Sequence, residues 1–324
     1  MNVLVIGSST IDIFLEIEDK NHIDFIQNKI QLQLGDKIPM NIKGLTIGGD
    51  GANVAAGISY LGNNTKFYTY LGTDIFSREI EETIHHEGIK LLVDKTEGGK
   101  SSMSLIYDFK NDRIIFSHHE VRNHTFNFKE DEMPNFVYLA SIGDYWQNAY
   151  KLILDFVKCN NIPLAITPGT HQLEAPSQIM PELIKISKII LINYEEALKM
   201  LSWNNTKTND VKSTLLEIKK LGPEIVSVTD GAKGAYAIDQ DNNFYKIGTY
   251  GDSVIEKTGA GDAYASGFIS AHLNNLSVQE CMKWGSINSH SVMQKTGAHN
   301  GLLRKEEMEQ TIKENPDFKA EILE

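Results

Sequence analysis

Short runs of apolar residues recur along the chain and alternate with longer amphipathic segments. The first run, Val3-Leu4-Val5-Ile6, ends at the polar turn Gly7-Ser8-Ser9, which is typical of a buried parallel strand. Segments of helical length separate most of the later runs, which cover residues 67–71, 102–107, 114–117, 136–140, 164–167, 189–192 and 225–228. This alternation predicts βαβ units, and therefore an α/β fold with a largely parallel sheet flanked by helices.

The segment from about residue 15 to residue 47 has a different pattern. Short alternating stretches such as Gln31-Leu32-Gln33-Leu34 are interrupted by glycine and proline, which predicts antiparallel strands outside the main sheet. The runs 102–107 and 114–117 are joined across Lys110-Asn111-Asp112 and predict a hairpin that belongs with those strands. We therefore expect a small β lid from segments within about 13–50 and 100–120, in a single domain over residues 1–324.

One helix is predicted with both of its ends. Apolar residues at positions 54, 55, 58 and 61 have helical spacing, so the helix is expected to begin near Gly51. Gly62 stands where a C-cap glycine would end it.

Composition and charge exclude several classes of protein. The chain has 324 residues, 43 of them acidic and 31 basic, and its formal net charge is -12. This balance lacks the positive footprint of a nucleic-acid or anionic-membrane binder, so a small-molecule substrate is favoured. Cys159 and Cys281 are far apart, which argues against a disulfide framework or a zinc site. The run 3–6 is too short for a signal peptide or a membrane span, and we predict a cytoplasmic protein.

Small residues stand directly before a helical pattern in the stretch Thr258-Gly259-Ala260-Gly261-Asp262-Ala263. The backbone N–H groups of residues 259–261 can converge on an anion there, and the N-terminus of the helix adds partial positive charge. The Asp262 carboxylate would lie at the rim of this anion hole, where it can accept the proton of an attacking hydroxyl. An aspartate in the first turn of a helix is equally expected as a capping residue, and taken alone this stretch favours the cap.

This stretch resembles the C-terminal signature of the ribokinase family, the PfkB kinases of sugars and nucleosides. Gly48-Gly49-Asp50-Gly51-Ala52-Asn53 resembles the N-terminal glycine-rich signature of that family, and Asp12 falls at its early substrate-binding aspartate. Further stretches match in order over nearly the whole chain: Gly72-Thr73-Asp74-Ile75-Phe76, Asn193-Tyr194-Glu195-Glu196, Thr229-Asp230-Gly231-Ala232-Lys233-Gly234 and Lys295-Thr296-Gly297-Ala298. The ordered set is far more specific than any single motif.

The resemblance implies a ribokinase-like three-layer αβα sandwich with a mostly parallel central sheet and a small antiparallel β lid. It also implies transfer of the γ-phosphate of Mg-ATP to a hydroxymethyl or alcohol group of a small sugar or nucleoside. In that reaction Asp262 is the general base, and the amides of Gly259, Ala260 and Gly261 form the anion hole. Relatives with these motifs use ribose, fructose, 2-keto-3-deoxygluconate and nucleosides, so the acceptor stays open. Lid strands in this family often pair between subunits, which implies a homodimer.

The resemblance further assigns binding roles to individual residues. Acceptor binding falls to Asp12, Gly48, Gly49 and Asn53, and nucleotide binding to Asn193, Thr229, Gly231, Lys233, Gly234, Thr258 and Ala298. Glu196 is tied to Mg²⁺, through water. Asn193 and Glu196 are one helical turn apart, so both can face one metal and water cluster. The same spacing fits a capping box, and both interpretations can hold together.

The chain departs from the family pattern at Glu256-Lys257. Family members typically carry Asp and then Thr or Pro here, and the aspartate often helps to bind a potassium-like cation. Glu256 keeps the carboxylate on a longer side chain, so K⁺ binding there is an open alternative. Our hypothesis is that the ammonium group of Lys257 partly replaces the cation, and the alternative is that Lys257 points into solvent.

Three histidines near the predicted site have no assigned role. His118 and His119 are adjacent on a predicted strand and point to opposite faces, so they are not expected to share a metal ion. One of them is expected to face the cleft beneath the lid. His171, in a loop where many relatives have an Asp-Pro turn, is interpreted either as a phosphate contact or as a structural or exposed residue.

Two other classes of function were weighed against the kinase. One is a catalytically inactive sugar or nucleoside sensor on the same fold, which the retained Asp262, Asn193 and Glu196 argue against. The other is an oxidoreductase with a dinucleotide at Gly48-Gly49-Asp50-Gly51. That segment lacks the full Gly-x-Gly-x-x-Gly spacing after a first strand, which argues against it.

Overall fold

The computed structural model describes residues 1–17, 23–26, 29–109, 112–174 and 177–323, and these form sixteen strands and ten α-helices. The strands are β1 (Asn2–Ile6), β2 (Thr10–Glu16), β3 (Ile23–Ile26), β4 (Lys29–Leu32), β5 (Asn41–Gly48), β6 (Asn64–Leu71), β7 (Lys90–Lys95), β8 (Ser102–Phe109), β9 (Asp112–His118), β10 (Phe136–Leu139), β11 (Leu164–Ile166), β12 (Ile189–Asn193), β13 (Ile225–Thr229), β14 (Ala235–Ile238), β15 (Phe244–Ile247) and β16 (Glu321–Ile322). The helices are α1 (Asp50–Tyr60), α2 (Ile75–His86), α3 (Gln147–Cys159), α4 (Thr170–Glu174), α5 (Ile179–Ile186), α6 (Tyr194–Ser202), α7 (Val211–Lys219), α8 (Ala260–Leu273), α9 (Val278–Val292) and α10 (Lys305–Glu314).

Ten of these strands form one large sheet in the order β16-β15-β14-β13-β12-β11-β10-β1-β6-β7. Strands β7, β6, β1, β10, β11, β12 and β13 of this sheet are parallel. Strands β14, β15 and β16 continue it with antiparallel pairing. The predicted α/β fold with a mostly parallel sheet is therefore confirmed, and each predicted apolar run lies on a strand. Strands β7, β14, β15 and β16 were not predicted.

Both faces of the sheet are buried beneath helices. On β1, Val3 and Val5 point into one apolar cluster and Leu4 and Ile6 into the other, as the alternation of a strand requires. Helices α1, α2, α8, α9 and α10 contribute buried side chains to the first cluster, and α3, α5, α6 and α7 contribute to the second. These layers are the predicted three-layer αβα sandwich. The helix predicted near Gly51 is α1, and Gly62 follows it with φ +88°.

A second, four-stranded sheet forms the lid in the order β5-β2-β8-β9. Its outer pairs are antiparallel, but β2 and β8 are parallel, with Asp12 opposite Ser104. The prediction of a purely antiparallel lid was therefore wrong for this central pair of strands. The two strands run the same way because a long segment, which includes α1 and β6, separates them in the chain. The predicted hairpin is present as β8 and β9, but its turn at Lys110-Asn111 lies outside the described residues.

The two faces of the lid differ in polarity. Cross-strand pairing places Thr46, Asp12, Ser104 and Ser117 in one row on one face. The next row along the strands, Leu45, Ile13, Leu105 and Phe116, is apolar and points to the opposite face. The polar face of the lid is the one that bears Asp12.

The lid stands over the carboxyl ends of β1 and β10 in the large sheet. The chain runs from β1 directly into the lid, and β6 and β10 lie on opposite sides of β1. Ligands of open α/β sheets bind at such a switch point. In the described part of the chain, no helix has the length and apolar character needed to cross a membrane.

Candidate active site

A cavity of about 260 Å³ lies between the polar face of the lid and the carboxyl ends of β1 and β10. We call it the acceptor cavity. Most of its lining residues have polar side chains, and they come from distant parts of the chain: Ser9, Asp12, Gly49, Asp50, Asn53, Tyr70, Ser102, Ser104, Ile106, Ile115, His119, Glu120, Arg122, His124, Ser141, His171, Thr258, Gly259 and Asp262 among others. Asp12, Gly49, Asn53 and Asp262, which sequence motifs single out, are thus brought to one cleft.

Asp12 enters the cavity from the lid strand β2 and is almost fully buried. Its carboxylate accepts a hydrogen bond of 2.9 Å from Thr10 Oγ1. Burial raises its pKa above the ordinary value, and the hydrogen bonds of Thr10 and Ser104 oppose that rise. A Cβ at Gly48 would lie 2.0 Å from Asp12 Oδ2, so only glycine leaves room for this carboxylate. Gly48 therefore shapes the cavity without a side chain of its own.

Helix α8 carries the predicted anion hole at its first turn. Gly259 is the N-cap residue in the left-handed conformation, with φ +76°, and Ala260, Gly261 and Asp262 follow in the first turn. The backbone N–H groups at the start of a helix have no partner within the helix, so they can serve an anion. The Ala260 N–H already donates to the Lys257 carbonyl oxygen at 3.3 Å, and an anion would have to compete with that long bond. The geometry of this turn fits the predicted hole.

Asn53 holds the Asp262 carboxylate from the facing helix α1. Its Nδ2 donates to Asp262 Oδ2 at 2.8 Å, and its Oδ1 lies 3.1 Å from His299 Nε2. Because the amide nitrogen faces Asp262, the amide oxygen accepts from the His299 ring. His299 Nδ1 lies in turn 2.7 Å from Glu87 Oε1. The side chains of Glu87, His299, Asn53 and Asp262 therefore form one hydrogen-bonded chain, which fixes the orientation of the Asp262 carboxylate. Asn53 was predicted only to bind the phosphoryl acceptor, and it is part of this chain.

A second cavity, of about 150 Å³, lies on the other side of Asp262 over the carboxyl ends of β11, β12 and β13. We call it the donor cavity. Its lining includes Thr167, Asn193, Glu196, Thr229 and Gly261. Asp50 and Asp262 border both cavities. A reacting group between the two cavities would therefore meet these two carboxylates.

The two shared carboxylates have perturbed acidities. Burial, and then the nearby charge of Asp50, raise the pKa of Asp262 well above the usual range, whereas the hydrogen bond from Asn53 opposes the rise. Burial and the charge of Asp12 also raise the pKa of Asp50. A carboxylate with a raised pKa is a stronger base, and its pKa lies closer to the operating pH.

The spacing of Asn193 and Glu196 produces a capping box at the start of α6. Asn193 Oδ1 accepts from the Glu196 N–H, and Glu196 Oε2 accepts from the Asn193 N–H, both at 2.9 Å. Burial raises the pKa of Glu196. The capping interpretation is thus present in the structure, and Glu196 also borders the donor cavity.

The residues of the donor cavity fit magnesium in one binding mode. Carboxylate and amide oxygens are suitable ligands, but the described residues contain no cluster of three or more acidic, histidine or cysteine side chains able to hold a metal by themselves. Magnesium is commonly held by one or two carboxylates together with water and substrate phosphates. Glu196 suits that mode.

Glu256 is buried and holds the loop that leads to the anion hole. Its Oε1 accepts from the backbone N–H of Thr258 at 2.7 Å and from Thr258 Oγ1 at 2.5 Å. Lys257 is exposed, as the solvent-facing alternative requires. Thr258, predicted to bind nucleotide, borders the acceptor cavity instead.

Four residues predicted to bind nucleotide border neither cavity. Gly231 and Lys233 lie in a 3₁₀ turn that Gly234 follows, and Lys233 Nζ pairs with Asp230 Oδ2 at 2.9 Å on an exposed surface. Ala298 is buried against Gly259, where a Cβ on that glycine would approach Ala298 Cβ to 2.5 Å. Their nucleotide roles stay predictions.

The histidines occupy distinct positions. His119 borders the acceptor cavity, whereas His118 Nε2 lies 3.2 Å from Glu120 Oε2 and is exposed. One of the pair therefore faces the cleft, as predicted. His171 also borders the cavity, and its Nδ1 lies 2.9 Å from Asp144 Oδ1.

Sequence reasoning missed several charged or titratable residues of the cleft, among them Asp50, Glu120, Arg122 and His124. Asp50 lies inside the Gly48–Gly51 stretch, so its position in that motif was an available signal. Arg122 and His124 lie in a segment between β9 and β10 without regular structure, where no periodicity indicates a direction for a side chain.

The fold matches that of a solved ribokinase. Ribokinase from Cryptococcus neoformans var. grubii serotype A, solved in complex with ADP, superposes with a TM-score of 0.74 at 16% identity, covering 96% of this chain and 99% of that chain. At this identity the likeness shows the shared ribokinase-like fold.

The sequence match defines the family. The model of the pfkB family carbohydrate kinases matches residues 16–305, so the chain belongs to that family, and the predicted kinase class is confirmed. Similar curated proteins include a 5-dehydro-2-deoxygluconokinase of Halalkalibacterium halodurans, 23% identical over 83% of this chain and 86% of the relative. A nucleoside kinase of Methanocaldococcus jannaschii is 25% identical over 79% of this chain and 82% of the relative.

Proposed function

We propose that the protein transfers the γ-phosphate of ATP to a hydroxyl group of a small sugar or nucleoside. The position of Asp262 carries the proposal, because its carboxylate borders both the acceptor cavity and the donor cavity. The anion hole of α8 begins at the same point. The ADP complex of the ribokinase and the names of the sugar and nucleoside kinases support this choice of donor and acceptor.

In the proposed reaction, Asp262 accepts the proton of the acceptor hydroxyl as the oxygen attacks the γ-phosphorus in line. The amides of Gly259, Ala260 and Gly261 stabilise the charge on the transferring phosphoryl group. Asn53 keeps one carboxylate oxygen of Asp262 occupied, which leaves the other for the substrate proton. Asp12, on the inner face of the lid, is an acceptor for a second substrate hydroxyl.

Substituting Asp50 tests the electrostatics of the base. Asp262 must be ionised to accept a proton, so kcat/KM should fall as the pH falls through its pKa. The charge of Asp50 raises that pKa, and Asp50→Asn removes the charge. We expect the acidic limb of the kcat/KM profile to shift to lower pH in this variant. An unchanged limb, or a shift to higher pH, would show that Asp50 does not act on the base.

Glu196 would hold magnesium through water, and the bound metal would supply charge neutralisation to the phosphates of ATP. Glu196→Gln keeps an oxygen that can accept from the Asn193 N–H, so the helix cap is preserved while the charge is lost. We expect half-maximal activity to require a higher magnesium concentration. The exposed neighbour Glu195 supplies the matched control, Glu195→Gln, which should behave as the wild type. The same magnesium dependence in both variants would remove Glu196 from the metal site.

Monovalent cation binding at Glu256 is proposed as a secondary feature. The Glu256 carboxylate is buried next to the phosphate loop, and its bond to Thr258 links it to that loop. The exposure of Lys257 argues against replacement of the cation by its ammonium group. A potassium titration of activity distinguishes a cation site at Glu256 from replacement of the cation by Lys257. Activation by K⁺ supports the cation site, and absence of activation supports replacement by the Lys257 ammonium group.

The apolar outer row of the lid supports the proposed homodimer. Leu45 and Phe116, at the two edges of the row, are 46% and 59% exposed. A second copy of the chain would cover such a row with its own lid. Light scattering should give twice the mass of the chain, and a monomeric mass at micromolar concentration would contradict the proposal.

A further inference from the structure

Arg122 borders the acceptor cavity as a buried cation with a terminal nitrogen that is unpartnered among the described residues. The residue is 9% exposed, and its Nη2 donates to the backbone oxygen of Lys100 at 2.8 Å. Its Nη1 is shielded from solvent and has no hydrogen-bond partner within the described part of the chain. Arg122 also forms no ion pair among these described residues. A buried guanidinium in this state is costly unless an anion is supplied.

The charges of three carboxylates act on Arg122, and two of these, Glu120 and Asp74, are committed to other groups. Glu120 accepts from the Lys100 N–H at 3.3 Å and contacts His118. Asp74 caps α2 by accepting from the Ser77 N–H, and it also accepts from the N–H and Oγ of Ser101. These bonds hold the base of the lid together. Asp94 is the third carboxylate, and none of the three forms an ion pair with Arg122 among the described residues, so Nη1 is left without a partner.

His124 lies in the same part of the cavity and is equally short of partners. It is 3% exposed, and neither ring nitrogen has a hydrogen-bond partner in the regions that the structure describes. Burial, and then the charge of Arg122, lower the pKa of His124 to about 4, so the ring is neutral near pH 7 and offers one N–H donor. Its ring packs edge-on against Tyr70, with centroids 4.4 Å apart, which restrains the ring.

The cavity therefore has two kinds of lining. Around Asp262 the cavity is lined by the carboxylates of Asp50 and Asp12, and carboxylates of this kind accept hydroxyl protons. Arg122 and His124 offer unused donors instead. We propose that Arg122 and His124 form a subsite for an anionic group of the acceptor, so that the preferred substrate is an acidic sugar, bearing a carboxylate or a phosphate. This inference rests on the proposed function and narrows its acceptor class.

The test compares acceptors with and without an acid group. ATP-dependent phosphorylation is measured with sugar carboxylates (gluconate, 2-keto-3-deoxygluconate), sugar monophosphates (fructose 6-phosphate, ribose 5-phosphate) and neutral acceptors (fructose, ribose, adenosine). We expect kcat/KM to be about tenfold to a hundredfold higher for one acidic class than for the neutral acceptors, since one charge-assisted contact has that effect. Preference for the carboxylates or for the phosphates identifies the acid group.

Arg122→Gln should lower kcat/KM for the acidic acceptors by a larger factor than for the neutral acceptors, and Arg122→Lys should restore part of this difference. Arg78→Gln, on the exposed side of α2, is the matched control. If Arg122→Gln does not fold, the subsite is still tested by the wild type, from the ratio of kcat/KM for acidic acceptors to kcat/KM for neutral acceptors. A neutral acceptor used better than every acidic one would overturn the subsite. Failure to phosphorylate any acceptor would instead contradict the proposed function.

Discussion

Asp262→Asn is expected to lower kcat by about 10²–10⁴-fold, because asparagine keeps the size of the side chain but cannot accept the proton of the acceptor hydroxyl. Its amide still fits between the two cavities beside Asn53, so the fold and the binding of both substrates should be retained. Steady-state kinetics measure the loss of kcat and the retained KM values, and a thermal melt checks that the fold is retained.

Asp155→Asn is the matched control for this variant, since Asp155 is exposed on α3 and outside both cavities. It should keep the activity and the melting temperature of the wild type. Near-normal turnover in Asp262→Asn would mean that another group accepts the proton, and the role of Asp262 would have to be given up.

Gly259→Ala is expected to have the second large effect. Residue 259 adopts φ +76°, where a non-glycine residue costs about 1–2 kcal/mol. The added Cβ would also lie 2.5 Å from Ala298 Cβ. The start of α8 must shift to relieve this contact, which moves the backbone amides of the anion hole. We expect a lower melting temperature together with a large loss of kcat.

Gly261→Ala is the matched control for the backbone strain and the close contact at residue 259, because the same methyl group is added two residues further along the chain. Residue 261 does not have a positive φ, and a Cβ there meets no atom within 4 Å. Its melting temperature should therefore match the wild type. Equal stability of Gly259→Ala and Gly261→Ala would show that the left-handed N-cap is not needed to hold the turn.

The parallel core of the fold could be predicted because its strands are continuous apolar runs that end in polar or small residues. Val3 to Ile6 is fully buried from both sides, so hydrophobicity alone identifies it. The antiparallel strands β14 to β16, at one end of the large sheet, are short and lie next to exposed turns, and their sequences carry a weaker signal. The parallel pairing of β2 with β8 joins segments about ninety residues apart, which no local pattern encodes.

The candidate site was predictable where a motif fixes the backbone and not where the tertiary fold places a side chain. Gly259 and Asp262 could be named from their stretch because glycines before a helix have few structural meanings. The contact between Asn53 and Asp262 spans 209 positions, and that between His299 and Glu87 spans 212. The importance of Arg122 follows from its buried Nη1, which has no hydrogen-bond partner in the described structure, and a sequence cannot show this.

The central claim is that this chain moves a phosphoryl group from ATP to an acceptor hydroxyl through Asp262. The most direct measurement incubates the protein with γ-labelled ATP, magnesium and the panel of acidic and neutral acceptors, and follows the label by chromatography and mass spectrometry. The account predicts labelled acceptor in equal amount to ADP with the wild type, and almost none with Asp262→Asn. Acceptor binding without labelled product, or ADP formed with the label in free phosphate alone, would contradict it.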